Sequence, residues 1–399
     1  MNMGVSKQVD GRSSLRRLFY NREVRQVFFQ IATVLGICAL VTYIGFNMVA
    51  NLEAVGKELS FGFLNSPAGY DITFQPFVEY APTDTHLRAA YVGLSNTLLV
   101  AVTGVIFATI LGFTLGVMRL SNNFLISRLS QFFIDFTRNV PVLLHIFFIY
   151  GVVINVLPTP KKATGVADSF FLTNRGLYAP KPVWEEGSGL VIGAFLLAVA
   201  GSFVLARWAK RRQVVTGQIF PVFWTSLGAI VFLPLIAFFV AGNPGSLNFP
   251  ELKGFNFKGG FILRPEYLAL WFSLSYYTAC FIAEIVRGGI LAIHKGQREA
   301  AHALGITPNR TLRLVIIPQA MPLIIPPLAS NYLNLTKNSS LAIAIGYYDI
   351  VATLGGISLM QTGKEVETMF LVLGCYLILS LFISGSMNAF NSRLKLKGR

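Results

Sequence analysis

Long apolar runs alternate with short polar intervals along almost the whole chain. A bilayer's hydrocarbon core takes about 20 apolar residues in a helix. Runs at 28–50, 91–118, 141–157, 189–206, 219–241, 266–293, 321–346 and 368–388 predict eight such helices. The runs are spaced for helices and not for a β-barrel. The fold class is all-α: a polytopic helical membrane protein. The run at 28–50 follows a basic tail. It is longer than a signal-peptide core and has no A-x-A site, so it reads as an uncleaved span. The run at 141–157 is short, with room to begin before Arg138. The run at 321–346 carries Pro322, Pro326 and Pro327 and reads as a broken helix.

The intervals between runs differ in character. Residues 51–90, 158–188 and 242–265 are rich in Gly, Pro and Asn and read as external loops. Within the first, 59–64 and 72–78 are candidate short surface helices or loops lying against the membrane. Residues 119–140 read as a short polar connector. Residues 294–318 are unlike the others. Glu299, Ala300, Ala301 and Ala303 favour a helix, Gly305 allows a cap or turn, and Thr307-Pro308 restarts a helix. Two short helices at an angle between spans form a docking knob.

Composition agrees with a membrane chain. Mean hydropathy is +0.60 and charged residues are 13%, against about 25% in a soluble domain. The formal charge of +15 would suit a nucleic-acid partner, but the basic residues lie in short loops between spans. With the N-terminus inside, inner segments hold 21 Lys and Arg and outer ones 10. The positive-inside rule therefore places both termini and the 294–318 knob in the cytosol. Cys38, Cys280 and Cys375 sit in apolar runs and read as packing residues. The four histidines have no metal-binding spacing.

The knob carries a pattern: Glu299-Ala300-Ala301, three residues, Gly305, nine residues, then Val315-Ile316-Ile317-Pro318. It resembles the EAA loop of ATP-binding-cassette importer permeases, with Val315 and Ile317 replacing the usual Ile and Leu. Ser95-Asn96-Thr97-Leu98, Arg138-Asn139-Val140-Pro141, Ala283-Glu284-Ile285-Val286-Arg287-Gly288-Gly289, Pro318-Gln319-Ala320 and Lys337-Asn338-Ser339-Ser340-Leu341 are similar to the polar amino-acid branch of that family. Asn139 and Val140 depart from that branch's Gly and Thr. The leading span and the two spans in 189–241 resemble the larger permease subunit of general L-amino-acid importers.

The resemblance implies a five-helix permease core in two parts, 91–157 and 266–390. It leaves 1–90 as basic tail, first span and external loop, 158–265 as an insertion with two extra spans, and 391–399 as a basic tail. It implies that Gly296, Arg298, Glu299, Ala300, Ala301, Gly305 and Pro318 contact an ATP-binding-cassette ATPase dimer. It further implies a second homologous permease, a periplasmic amino-acid-binding protein delivering the solute, and the bacterial inner membrane as the site of action. No Walker A motif is present: near Gly363-Lys364, Ser358 stands at the first glycine position and Glu365 follows the lysine. ATP and Mg²⁺ are expected on the partner ATPase, with no cofactor, metal or catalytic residue on this chain.

Several residues carry two readings from physical chemistry alone. Glu284 and Arg287 share a helix face, as a structural ion pair or as substrate contacts. Lys337 lies within an apolar run, where a charge is costly and usually faces a cavity. With Asn334, Asn338, Ser339 and Ser340, and Asn331 nearby, it lines a solute path or anchors a buried network. Arg138, with Pro141, caps the third span or anchors it at the headgroups. An ion-coupled secondary transporter using Glu284 and Lys337, or a membrane sensor without transport, also fits the hydropathy.

Overall fold

The computed structural model describes residues 22–167 and 169–394. Small residues set its central contact. Helix α2 (His86–Arg119) places Gly93, Thr97, Ala101, Gly104, Ala108, Gly112 and Gly116 on one buried stripe. Without side-chain bulk, two backbones approach closely in a membrane, where packing replaces the hydrophobic effect as the force between helices. The helix against that stripe is α7 (Pro265–Leu291). A Cβ added at Gly112 would lie 2.6 Å from Ile282 Cβ. Leu270, Leu274, Ile282, Val286 and Ile290 of α7 form the core with Val100 and Ala108 of α2.

Helices α3 (Phe124–Asn139) and α4 (Val142–Val156) follow α2 and are bent by 105° at their junction. Pro141 cannot donate to α3, and its extended conformation (φ −57°, ψ 137°) redirects the chain into α4. After α7 come α8 (Lys295–Ala303) and α9 (Pro308–Thr311). A π turn at Leu312–Ile316 leads into α10 (Ile317–Asn338), which packs on α7 and α2. The chain then tightens into a 3₁₀ segment (Ser339–Ile345), turns at Gly346 and forms a second π segment (Val351–Ser358). Short α11 (Leu359–Thr362) and long α12 (Glu365–Leu394) complete it. Among the described residues, seven helices are long and apolar enough to span a membrane, or eight spans if α3 and α4 make one.

Three elements stand apart from this core: α1 (Arg22–Ala54), α5 (Ser188–Thr216) and α6 (Val222–Val240). The apolar windows of α1 and α6 are 0% buried, against 67% for α7. Helices α5 and α6 pack chiefly on each other. Short strands hold this hairpin: β1 (Phe171–Thr173), β2 (Gly176–Ala179), β3 (Lys181–Trp184), β4 (Gly245–Asn248), β5 (Glu251–Lys253), β6 (Asn256–Lys258) and β7 (Phe261–Leu263). They pair antiparallel as β1-β2-β7, β3-β4 and β5-β6. The β2–β7 pairing, with Tyr178 opposite Ile262, closes the segment's two ends together. Tyr178 Oη donates to Asn256 Oδ1 at 2.7 Å.

Several sequence expectations change here. Residues 119–140 are no polar connector. Phe124, Leu129, Phe132 and Phe136 of α3 form an exposed apolar face, while Ser130, Ile134 and Thr137 are buried. Three arginines had masked that amphipathic period. Pro322, Pro326 and Pro327 do not break α10, which runs through them. Pro322 and Pro326, four residues apart, leave their missing donors about 40° apart around the helix, with Pro327 about 100° beyond Pro326, and the break comes after Asn338. Residues 72–78 form no helix. Instead Ile72 and Phe74 enter the core, while 62–65 alone makes a 3₁₀ turn (Gly62–Asn65). Residues 158–188 and 242–265 carry the strands. Cys38 is exposed on α1 and is no packing residue. The basic tail through Arg12, Arg16 and Arg17, and residues 395–399, lie outside the described residues.

Candidate functional site

The 294–318 knob is built by its caps. His294 Nδ1 accepts from Gly296 N–H at 3.1 Å and opens α8. At the other end Gly305 N–H donates to His302 O at 2.9 Å and Ile306 N–H to Ala301 O at 3.0 Å. This is a Schellman closure, and it requires the left-handed conformation that Gly305 adopts (φ +71°). Pro308 then stands in the first turn of α9. Thr307 takes the extended N-cap conformation but makes no side-chain cap bond. Gln319 Nε2 donates to Gln297 Oε1 at 3.1 Å and fastens α8 to α10.

The two faces of α8 differ. Ala301 is buried against the body of the protein. Arg298 and His302 line a cavity of about 650 Å³ with Ser121, Asn122 and Asn309. Glu299 and Ala300 are exposed, as are Gly305 and Pro318 beside them. Leu304 at the tip is 79% exposed. An outward surface of one acid, small residues and one bare leucine suits a soluble partner. Arg298 is turned toward the body of the chain as well as the rim.

A charged knot lies behind the knob. Glu284 sits between Arg119 at the end of α2 and Arg287 on its own helix. Arg287 Nη2 lies 3.2 Å from Glu284 Oε2, and Arg119 Nη2 lies 3.9 Å from Asp135 Oδ1 on α3. Four charges therefore join α2, α3 and α7 just before the loop begins. Two arginines neutralise Glu284, which leaves little for it to do as an ion-coupling acid. The Arg138 guanidinium lies over the Phe281 ring at 5.0 Å.

The α3–α4 bend has its own strut. His145 Nε2 lies 3.1 Å from Thr137 O, which can only accept, so Nε2 carries the proton. Nδ1 then accepts from Tyr276 Oη at 2.7 Å. Ser273 Oγ donates to His145 O at 3.2 Å. One buried imidazole thus locks the end of α3, the start of α4 and the middle of α7.

The residues around Lys337 are divided. Ser339 is buried, with Oγ donating to Thr336 O at 2.7 Å and lying 3.4 Å from Tyr376 Oη. Asn338 and Ser340 are half-buried, and Ser340 Oγ donates to Lys337 O at 2.7 Å. Asn334 and Lys337 are exposed on the chain's surface. Among the described residues, no hydrogen bond or ion pair reaches the Lys337 ammonium. Asn331 donates back to Pro327 O at 3.0 Å. The polar face of α10 thus opens outward from this chain.

Sequence reasoning missed the clamp behind that face. Asn96 Nδ2 donates to Phe74 O at 3.0 Å and to Tyr348 O at 2.8 Å. Tyr347 Oη donates to Asn96 O at 3.0 Å, and Ile350 N–H to Thr97 Oγ1 at 3.1 Å. Buried Asp349 accepts from Ala352 N–H at 2.8 Å and from Tyr376 Oη at 3.2 Å. The paired polar residues Asn96 and Thr97 in an otherwise apolar run were the available signal. Between the 51–85 segment and the start of α12, Lys57 pairs with Glu365 at 2.9 Å, and Glu367 accepts from Ser60 N–H at 2.9 Å. Tyr80 Oη donates to Tyr70 O at 2.8 Å. Burial raises the Tyr70 phenol; burial first, then Tyr70, Asp84 and Asp71, push Tyr80 to about 12.

Known proteins resemble this chain closely. Residues 189–396 match the family described as binding-protein-dependent transport system inner membrane component. A general L-amino acid transport system permease protein of Rhizobium johnstonii is 46% identical, covering 97% of this chain and 96% of that one. A putative amino-acid ABC transporter permease protein of Escherichia coli is 45% identical, over 96% and 97% of the two chains. A glutamate/glutamine/aspartate/asparagine transport system permease protein of Rhodobacter capsulatus is 42% identical, over 96% and 97%.

Proposed function

The chain belongs to the family of binding-protein-dependent transport inner-membrane components, and on that premise we propose that it is a permease subunit of an ATP-driven importer of L-amino acids. It sits in a bacterial inner membrane with both termini cytoplasmic. Its core is 91–157 with 266–390, and 158–265 is an insertion. ATP and Mg²⁺ act on a separate ATPase dimer, which receives the 294–318 knob. Glu299, Ala300 and Leu304 meet the ATPase, Ala301 and Arg298 key the knob to the permease, and Gly296, Gly305 and Pro318 fix its shape. When the ATPase closes, the knob moves. The Arg119–Glu284–Arg287–Asp135 knot and Arg138 then carry that motion to α2, α3 and α7, with the bend at Pro141 as its pivot.

The solute path runs along the open polar face of α10, between this chain and a second homologous permease. Lys337 and Asn334 line it, and Asn338 and Ser340 lie at its edge. Ser339 supports the face from behind. An unpartnered ammonium on a spanning segment calls for water or a negative group beside it. A carboxylate of an amino acid supplies the latter. A binding protein delivers the solute to the outer side.

The observation that carries this reading is the knob itself: a capped two-helix element, keyed at Ala301, that leaves Glu299 and Leu304 bare. Purification from native membranes, with identification of the chains that come along, tests it. The expected set is an ATPase, a second permease and a binding protein. Absence of any ATPase, under conditions that keep the permease folded, rejects the reading. Lys337→Gln lowers uptake without releasing the ATPase; unchanged uptake takes Lys337 out of the path.

A further inference from the structure

We propose that the inner tip of the α5–α6 hairpin is a binding site for anionic phospholipid headgroups. Helix α5 has 29 residues and α6 has 19, about 43 and 28 Å at 1.5 Å per residue. Only α6 matches a hydrocarbon core of about 30 Å. The two helices start and finish together at the β3–β4 ribbon, where Trp184 pairs with Gly245. Helix α5 therefore outruns α6 at the other end, and the overhang begins near Arg207. Arg207, Lys210, Arg211 and Arg212 occupy its first turns, about 8 Å along the axis. That depth is the headgroup layer on one side of a bilayer, about 6 Å or slightly more. A soluble partner would be met farther out.

Side chains at the tip are arranged for that layer. The Trp208 and Phe220 rings meet edge to face at 5.4 Å, which folds the connecting loop back toward the membrane. Tryptophan at this level is the usual interfacial anchor. The Arg212 guanidinium lies 5.4 Å from the Trp208 ring, and Nη2 donates to Gln218 Oε1 at 2.8 Å. Arg207, Lys210 and Arg211 are exposed. Among the described residues no ion pair reaches them, and no Asp or Glu occurs from 187 to 250. The hairpin therefore supplies no counter-charge of its own. Lipid phosphates at the same depth do, and an anionic headgroup does so with net attraction where a zwitterionic one does not.

This inference rests on the membrane reading of the chain and not on its coupling role. The assembled transporter is placed in bilayers holding a photoactivatable phosphatidylglycerol or phosphatidylcholine, and cross-linked peptides are mapped. Phosphatidylglycerol labels 207–221 about fivefold or more over phosphatidylcholine, a preference that falls as salt rises. The triple variant Arg207→Gln, Lys210→Gln, Arg211→Gln removes that preference, and a variant with Arg207→Lys and Arg211→Lys keeps it. Labelling of the α1 peptide and an unchanged melting temperature report that each variant is folded. Equal labelling by the two lipids in the native protein overturns the proposal, even if the triple variant fails to assemble. So does an unchanged preference in the triple variant.

Discussion

His145 was invisible as a functional residue because its three partners come from elsewhere in the chain. Thr137 precedes it by 8 residues, and Ser273 and Tyr276 follow by 128 and 131. A lone histidine in an apolar run says nothing about which atoms it will meet. Glu284 and Arg287 were legible, since three residues on a helix bring two side chains together. Arg119 and Asp135, which complete the knot, were not. Lys337 was legible for the opposite reason: a charge inside an apolar run stands out whatever surrounds it. His145→Ala leaves the Thr137 carbonyl and the Tyr276 hydroxyl unpaired in the core, at about 1–3 kcal/mol each. The melting temperature of the detergent-purified complex falls by several degrees, and Tyr276→Phe falls less. A melting temperature unchanged in His145→Ala removes the strut.

Elements were read well where local rules decide them. The C-terminal cap of α8 followed from Gly305 and the restart of α9 from Pro308, while the His294 N-cap of α8 was not foreseen. The prolines of α10 were misjudged, because a proline's cost depends on whether neighbouring helices and bulges absorb the lost bonds. The strands were hidden altogether. Each is three or four residues long, and β2 pairs with β7 across more than eighty positions of sequence. Gly305 offers a test at this scale. Its φ of +71° excludes proline, which is held near −65°, while asparagine tolerates the left-handed region. Gly305→Pro abolishes ATPase co-purification and Gly305→Asn retains most of it. Equal behaviour of the two variants shows that the Schellman turn is not what the partner reads.

At the scale of the whole molecule, hydropathy was enough for class, and packing was needed for architecture. The count of spans turns on α3 and α4, which sequence divided into a connector and a short span. Taken as one bent span they give eight, the even number that the Lys and Arg count assumes when it puts both termini inside. The core gathers α2, α7, α10 and α12, while α1 and the α5–α6 hairpin present bare apolar faces to lipid or to other subunits. The knob projects from one end of that core, and α10 leads from it to the open polar face. The proposed link between hydrolysis on another chain and a solute path rests on that continuity. ATP-driven uptake of a labelled amino acid into vesicles holding the complete transporter tests the link most directly, with native permease compared against Glu299→Arg. The native protein takes up solute only with ATP. Glu299→Arg, still folded and inserted, loses both the ATPase and the uptake. Unchanged ATPase binding and uptake in that variant, or uptake that needs no ATP and collapses with an ionophore, contradicts the account.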